Sequence, residues 1–313
     1  MKKRPLKVGF LLPTLEMQLG GATARWPEML AIARHVEAAG FNSLWVNDHL
    51  LFDLVGERRG QWECWTLLSA LAATTTRVEL GTLVCCTGFH NPAVLAKQAD
   101  TIDGISNGRL ILGLGAGYHE PEFKGFGLPF DHLVSRFEDA INIIHPLLRT
   151  GSVDYTGRFH EAHCELLPRL SPRSGPPIMM GPRPGSARMM RLMARFADYS
   201  TRFRLNTVEQ LIPDREAMDV ICRDAGRDPA SLRRTLALFL DLPGHPTDPN
   251  GDWAQRVRIF YGPPVQGESV DHVVDMIRGF ASAGIEHIQL GTNPATLAGV
   301  DILATVLERL DQG

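Results

Sequence analysis

The feature that most constrains the fold is an alternation, repeated along the chain, of a short apolar run, a turn and a longer amphipathic stretch. Apolar runs of strand length that are separated by helical stretches are typical of a parallel sheet buried on both faces. We interpret eight such runs as strands, namely 6–14, 43–49, 78–84, 108–117, 176–181, 198–203, 235–242 and 287–292.

The stretches between these strands have the period and the end signals of helices. The predicted helices are 26–39, 64–73, 92–104, 133–149, 186–197, 208–225 and 269–283. Eight strands that alternate with helices predict an α/β fold, a closed (β/α)8 or TIM barrel, because an open doubly wound sheet normally carries a G-x-G-x-x-G turn after its first strand. The first turn here is PTLEMQLGG, which lacks that motif.

The predicted barrel occupies the whole chain as a single domain, residues 1–313. Barrels of this kind commonly reach roughly 250 residues or more as one unit. We expect irregular insertions at about 118–132, 150–175 and 243–268, the second of them a hairpin or a loop, and a further loop at 51–60.

Charge and hydropathy exclude several classes of protein. The net charge is −3, from 32 basic and 35 acidic residues without a basic stripe, so we expect no nucleic-acid partner. No apolar run approaches the roughly 20 residues that cross a bilayer, and the run 8–12 is too short for a signal peptide. We therefore expect a cytoplasmic protein with no membrane partner. Five cysteines without a C-x-x-C pair predict buried thiols and not a disulfide scaffold.

Asp48 and His49 close the second predicted strand, at the end where barrel enzymes carry their chemistry. Histidine suits proton transfer near neutral pH, and a neighbouring carboxylate could fix its tautomer. Adjacent side chains on a strand point to opposite faces, so only one of the two can face the mouth unless the strand ends there. A structural histidine bonded to a loop carbonyl is the alternative. Without a second ligand pair at a recognisable spacing, the dipeptide predicts no metal site.

Glycines at positions 113, 115 and 117 interrupt the fourth strand. A glycine inside a strand marks a bend or a surface that another group approaches closely. A planar ring lying over this strand end and simple barrel-corner geometry are both compatible with the pattern, and they do not exclude one another.

Two further features could bind or orient a ligand. Gly185 and Ser186 open a predicted helix, where free backbone N–H groups can bind phosphate, although serine is also an ordinary N-cap. Glu120 and Glu122 follow the fourth strand and could orient a substrate, but solvated loop charge is the default expectation for both.

The stretch from Thr66 to Phe130 holds TRVELGTLV, PAVLAK and SNGRLILGLGAGY, which closely resemble motifs of the luciferase-like monooxygenase family. The resemblance extends through NDH at 47–49, VDYTGRFHE at 153–161 and the segment 176–198, and so covers nearly the whole chain. It implies a TIM-like barrel with an insertion region, usually homodimeric, that binds a reduced flavin or the deazaflavin coenzyme F420.

The resemblance also assigns residues. It implies that His49, with Asp48, is catalytic beside the ring of F420 or FMN. In F420-using members a non-proline cis peptide supports the back of the ring, and that site would match Leu83–Val84 here. Tyr118 stands where sugar-phosphate-oxidising relatives have Glu, which argues against that dehydrogenase activity. The cofactor-binding residues implied by the resemblance are Thr82, Leu83, Val84, Gly115, Ala116, Tyr118, Gly181, Gly185 and Ser186.

The resemblance leaves two chemistries open for a small organic substrate. With FMN, oxygen adds to the reduced ring and a peroxide oxidises the substrate, and a separate reductase could supply the reduced cofactor. With F420, the ring exchanges a hydride and needs no oxygen; the Asp-His dipeptide favours this branch over the Glu-His-His form of bacterial luciferase. The remaining alternatives are a non-catalytic flavin-binding relative and a phosphosugar-binding barrel enzyme that uses the helix at Ser186.

Overall fold

The structure, a computed structural model, describes residues 4–19, 21–54, 57–181, 186–247 and 262–312. Its strands are β1 (Lys7–Leu11), β2 (Ser43–Val46), β3 (Leu51–Leu54), β4 (Glu57–Gly60), β5 (Glu79–Thr82), β6 (Cys85–Cys86), β7 (Leu110–Gly115), β8 (Ser152–Thr156), β9 (Glu161–Glu165), β10 (Ile178–Met180), β11 (Tyr199–Arg202), β12 (Arg233–Asp241), β13 (Val265–Gln266) and β14 (His287–Asn293).

Helices follow the main strands in turn. They are α1 (Trp26–Ala38), α2 (Cys64–Thr74), α3 (Pro92–Ile105), α4 (Glu120–Gly125), α5 (Leu133–Thr150), α6 (Ala187–Phe196), α7 (Val208–Asp224), α8 (Val270–Ser282) and α9 (Leu297–Gln312). All eight predicted strands and all seven predicted helices are present, with ends that differ from the prediction by a few residues.

Contacts divide the chain into two compact units. The first unit comprises residues 1–45 and 199–313, and in it β11, β12, β14, β1 and β2 lie side by side in that order as a parallel sheet. The first four of these strands expose almost no side chains, as expected for strands that are covered on both faces.

The second unit, residues 46–198, carries the candidate site. Its strand β7 is central and pairs in parallel with β5, β10 and the short β6. Helix α3 begins where the Asn91 side chain accepts hydrogen bonds from the backbone N–H groups of Ala93 and Val94, and Pro92 occupies the first helical position. That a single domain spans 1–313 stays a prediction.

The insertions contain regular structure. Residues 51–54 and 57–60, predicted to belong to a loop, pair as the antiparallel strands β3 and β4, so that prediction was wrong for them. The sequence GERRG shows no apolar alternation, which is why the hairpin left no signal. The insertion at 150–175 holds the hairpin of β8 and β9, and the one at 118–132 holds α4. The insertion at 243–268 lies partly outside the described residues.

No helix among the described residues is long and apolar enough to cross a membrane.

Candidate active site

The end of β2 directs two neighbouring side chains into two different hydrogen-bond networks. Asp48 is 3% exposed, and its Oδ2 accepts the backbone N–H of Cys86 at 2.9 Å and lies 3.0 Å from His90 Nε2. His49 Nδ1 lies 2.7 Å from Oε1 of Glu122. The carboxylate bonded to His49 is therefore that of Glu122, which is distant in sequence, and Asp48 pairs with another histidine.

Glu122 is completely buried and lies in the short helix α4. Its Oε1 contacts His49 Nδ1, and its Oε2 accepts the backbone N–H of Leu50 at 2.7 Å. The expectation of a solvated loop carboxylate was wrong for Glu122. It holds for Glu120, an exposed residue that pairs with Lys124 on the same helix.

Helix α4 is held in place by its aromatic residue. Phe123 is fully buried, with ring centroids 5.0 Å from Phe89 and 5.1 Å from Phe130. Gly117 has φ +81°, and a Cβ there would lie 2.6 Å from the sulfur of Cys86 and 2.8 Å from Phe123. The glycine thus allows the chain to turn from β7 into α4 with the close packing that buries Glu122.

Two aromatic residues surround the rest of the His49 ring: Phe52 lies against the ring and Tyr118 lies at Nε2. The Phe52 ring, on β3, is 4.3 Å from it and tilted by 45°, and Phe52 is 5% exposed. The Tyr118 hydroxyl lies 3.3 Å from His49 Nε2. Only 17% of the His49 side chain is exposed. An imidazole with a buried carboxylate at one nitrogen and a phenol at the other can hold or transfer a proton in surroundings that are largely screened from water.

Asp48 organises the segment that follows β5. Asp48, Cys85 and His90 lie within 4.8 Å of one another, and the hydrogen bonds of Asp48 account for this proximity. Burial, and after it the Asp48 carboxylate, raises the pKa of the Cys85 thiol well above its usual value. This keeps the thiol protonated at neutral pH.

The predicted residues of the third strand lie on this organised segment. Thr82 ends β5 and its hydroxyl donates to the carbonyl of Gly113 at 2.7 Å. The Leu83–Val84 peptide bond is cis, as the resemblance predicted. Leu83 is buried and Val84 is half-buried. That these residues contact a cofactor stays a prediction.

Protein atoms fill the space next to the strand glycines. A Cβ on Gly113 would lie 2.0 Å from the carbonyl oxygen of Thr82, and one on Gly115 would lie 2.9 Å from Val84 Cγ2. Close strand packing is therefore sufficient to explain both residues, and a ring lying over them stays a prediction. Ala116 and Tyr118, also predicted to border the cofactor, are half-buried beyond the end of β7.

The predicted phosphate site is only partly described. Ser186 is the N-cap of α6 but makes no side-chain capping bond, and Gly181 is half-buried after β10. Gly185 lies outside the described residues. Arg188, in the first turn of α6, pairs with the carboxylate of Glu138.

The model of the family described as luciferase-like monooxygenase matches residues 6–241. The chain belongs to this family. Pyrimidine monooxygenase RutA of Rhizobium rhizogenes is 34% identical over 178 residues, which cover 54% of this chain and 48% of the relative. The F420-dependent glucose-6-phosphate dehydrogenase of Amycolatopsis mediterranei is 34% identical over 140 residues, which cover 43% of this chain and 41% of the relative. The chain thus spans about half the length, or less, of these two relatives.

A solved structure of an F420-dependent secondary alcohol dehydrogenase in complex with an F420–acetone adduct has the same fold. The two chains align with a TM-score of 0.78 at 19% identity, over 99% of each. The likeness confirms the predicted closed (β/α)8 barrel.

Proposed function

We propose that this luciferase-like protein is an oxidoreductase that uses reduced F420 or FMN to oxidise or reduce a small organic substrate. The observation that carries the proposal is the buried Glu122–His49 pair with Tyr118 at the second ring nitrogen. The names of its relatives include both a monooxygenase and an F420-dependent dehydrogenase, which agrees with an enzyme of this class.

The described residues fit a tricyclic cofactor by the chemistry of their polar groups. His49 and Tyr118 together offer a ring nitrogen and a hydroxyl that can exchange hydrogen bonds with the heteroatoms of such a ring or of a substrate beside it. Leu83, Val84 and Ala116 would hold the ring, and Ser186 would bind the anionic tail through the start of α6. When bound, the cofactor would carry the electrons, in its reduced form to reduce a substrate or to activate oxygen and in its oxidised form to accept a hydride from a substrate.

The protein's own part is the handling of a proton. His49 would exchange one with the substrate or cofactor, and the charge that then forms on its ring would be balanced by the buried carboxylate of Glu122. Phe52 covers the imidazole and keeps water from it. Asp48 would act indirectly. Its hydrogen bonds go to Cys86 and His90 and so hold the segment that would support the cofactor ring.

Binding is the first test. Purified protein titrated with FMN and with F420, followed by cofactor fluorescence, should bind one of the two, and we favour F420 because of the Asp-His dipeptide at 48–49. Ser186→Asp should weaken that binding by repulsion of the anionic tail. Failure to bind either cofactor would refute the proposal.

Turnover is the second test. His49→Ala should keep cofactor affinity within several-fold and lower the rate of cofactor oxidation or reduction, over a panel of small alcohols, ketones and heteroaromatic compounds, by roughly 10²–10⁴. His163→Ala is the matched control, since His163 lies on the exposed hairpin and pairs with Asp154. An unchanged rate for His49→Ala would remove this residue from the mechanism, and oxygen consumption would separate the FMN chemistry from that of F420.

We also propose that the protein is a homodimer, as is usual in its family. Sedimentation of the purified chain would test this, and a monomer at micromolar concentration would contradict it.

A further inference from the structure

We infer that Glu122 is a positioning residue that holds His49 as the tautomer protonated on Nδ1, which makes Nε2 the proton-accepting atom of the site. The catalytic meaning of this assignment rests on the proposed function. The assignment itself concerns the protein without cofactor, and it can be tested there.

The assignment follows from counting donors and acceptors around one carboxylate. Glu122 Oε2 accepts the N–H of Leu50, a backbone donor that cannot change its character. Glu122 Oε1 lies 2.7 Å from His49 Nδ1. An ionised carboxylate only accepts hydrogen bonds, so the hydrogen of this contact resides on Nδ1.

The neutral ring then presents a lone pair at Nε2. The Tyr118 hydroxyl, 3.3 Å away, can donate a hydrogen bond to it. When Nε2 takes up a proton, the positive ring faces the carboxylate of Glu122, whose side chain is completely buried. A buried carboxylate behind an imidazole stabilises the imidazolium and fixes the orientation of the ring.

Because the two oxygens of Glu122 bind two different groups, the substitution Glu122→Gln, which barely changes the shape of the side chain, has a specific expected effect on the tautomer of His49. In Glu122→Gln only one oxygen remains, and the Leu50 N–H requires it because a buried backbone donor is costly to leave unpaired. The amide NH2 then faces Nδ1 of His49 and donates to it. The substitution should therefore move the ring hydrogen from Nδ1 to Nε2 and invert the tautomer, which a merely structural role of Glu122 does not predict.

The experiment is 15N NMR of the cofactor-free protein labelled at histidine, recorded where His49 is neutral. The resonances of His49 are assigned by their loss in His49→Gln. We expect a protonated Nδ1 and an unprotonated Nε2 in the unmodified protein, and the reverse in Glu122→Gln. Glu120→Gln is the matched control, because Glu120 lies on the same helix but is exposed, and it should leave the His49 signals unchanged.

The unmodified protein alone can overturn the inference, so the test does not depend on a variant that folds. A His49 ring protonated on Nε2, or an equal mixture of tautomers, would refute it, as would a folded Glu122→Gln variant that keeps the original tautomer.

A kinetic arm tests the catalytic consequence separately. Glu122→Gln should lower kcat by roughly 10²–10⁴, as expected when a catalytic imidazole is held in the wrong tautomer, while cofactor affinity changes by no more than several-fold. A kcat equal to that of Glu120→Gln would refute a role of Glu122 in turnover. If the tautomer inverts as expected but neither FMN nor F420 binds, the proposed function fails and the assignment of the tautomer stands.

Discussion

The buried histidine of the first unit predicts a specific loss of stability in mild acid. His287 is 1% exposed, its Nε2 lies 2.7 Å from the hydroxyl of Ser43, and its Nδ1 is buried without a partner among the described residues. Burial, followed by the charges of Lys7 and Arg233, lowers the pKa of His287 to about 3. The folded protein therefore keeps this ring neutral at a pH where the unfolded chain protonates it.

The difference between the pKa values of His287 in the folded and unfolded states sets the sign and the size of the change in stability. The unfolded chain takes up the proton near its ordinary pKa of about 6.5, so the contribution of His287 is fully present above that pH and is lost as the pH falls toward 3. Between pH 7 and pH 5 the loss is about 2 kcal/mol, at about 1.4 kcal/mol for each pH unit below the ordinary value. For 313 residues this corresponds to a fall in Tm of about 3 °C.

The assay is a comparison of Tm, by calorimetry or circular dichroism, at pH 7 and pH 5 for the unmodified protein and for His287→Gln. Carboxylates titrate in both proteins, so the difference between the two pH dependences isolates His287. The unmodified protein should lose about 3 °C more than the variant. An equal fall in Tm for the two proteins would show that the His287 ring is protonated in the folded state or reached by water, and would refute the predicted loss of stability.

Further predictions concern two glycines and the thiols. Gly279→Ala, inside α8, should raise stability by about 0.5–1 kcal/mol, because its Cβ would meet only Val208 Cγ2 at an ordinary 3.5 Å. Gly113→Ala should lower stability by more than about 3 kcal/mol, because its Cβ would lie 2.0 Å from a backbone oxygen of β5. Both are measured by urea unfolding, and equal midpoints for the two variants would contradict the packing. Mass spectrometry after a short treatment with iodoacetamide should find label on Cys164 alone, since the other cysteines are buried; rapid labelling of a second cysteine would contradict this.

The order of strands and helices could be predicted from the sequence because the spacing of apolar residues depends on which faces of each element are buried. A strand such as β7, LILGLG, is buried at every residue and therefore appears as an unbroken apolar run. The paired strands β3 and β4 give no such signal, because the second of them is ERRG, which has no apolar residue to mark it. The hydrophobic pattern predicts buried strands and helices, so a strand made of charged residues is missed.

The candidate site was predictable in part. The position of Asp48 and His49 next to a strand end follows from the apolar run that precedes them, but β2 ends at Val46, so the alternation of side chains along a strand does not set their directions. The pairing of His49 with Glu122 could not be predicted, because a carboxylate in a loop gives the same local signal whether it is solvated or buried. Only its neighbour in sequence, the fully buried Phe123, hints that this turn of helix packs inward.

The short helix α4 has a consequence for how this scaffold can diversify. Segments that follow barrel strands are where new specificities usually arise, because they can be exchanged without disturbing the sheet. Here one such segment carries Glu122, whose carboxylate binds the imidazole of His49 and accepts the backbone N–H of Leu50. An engineer who transplants a different segment between β7 and α5 would also replace Tyr118 and Glu122, the two groups at the ring nitrogens of His49, so successful grafts should retain a glutamate at this turn.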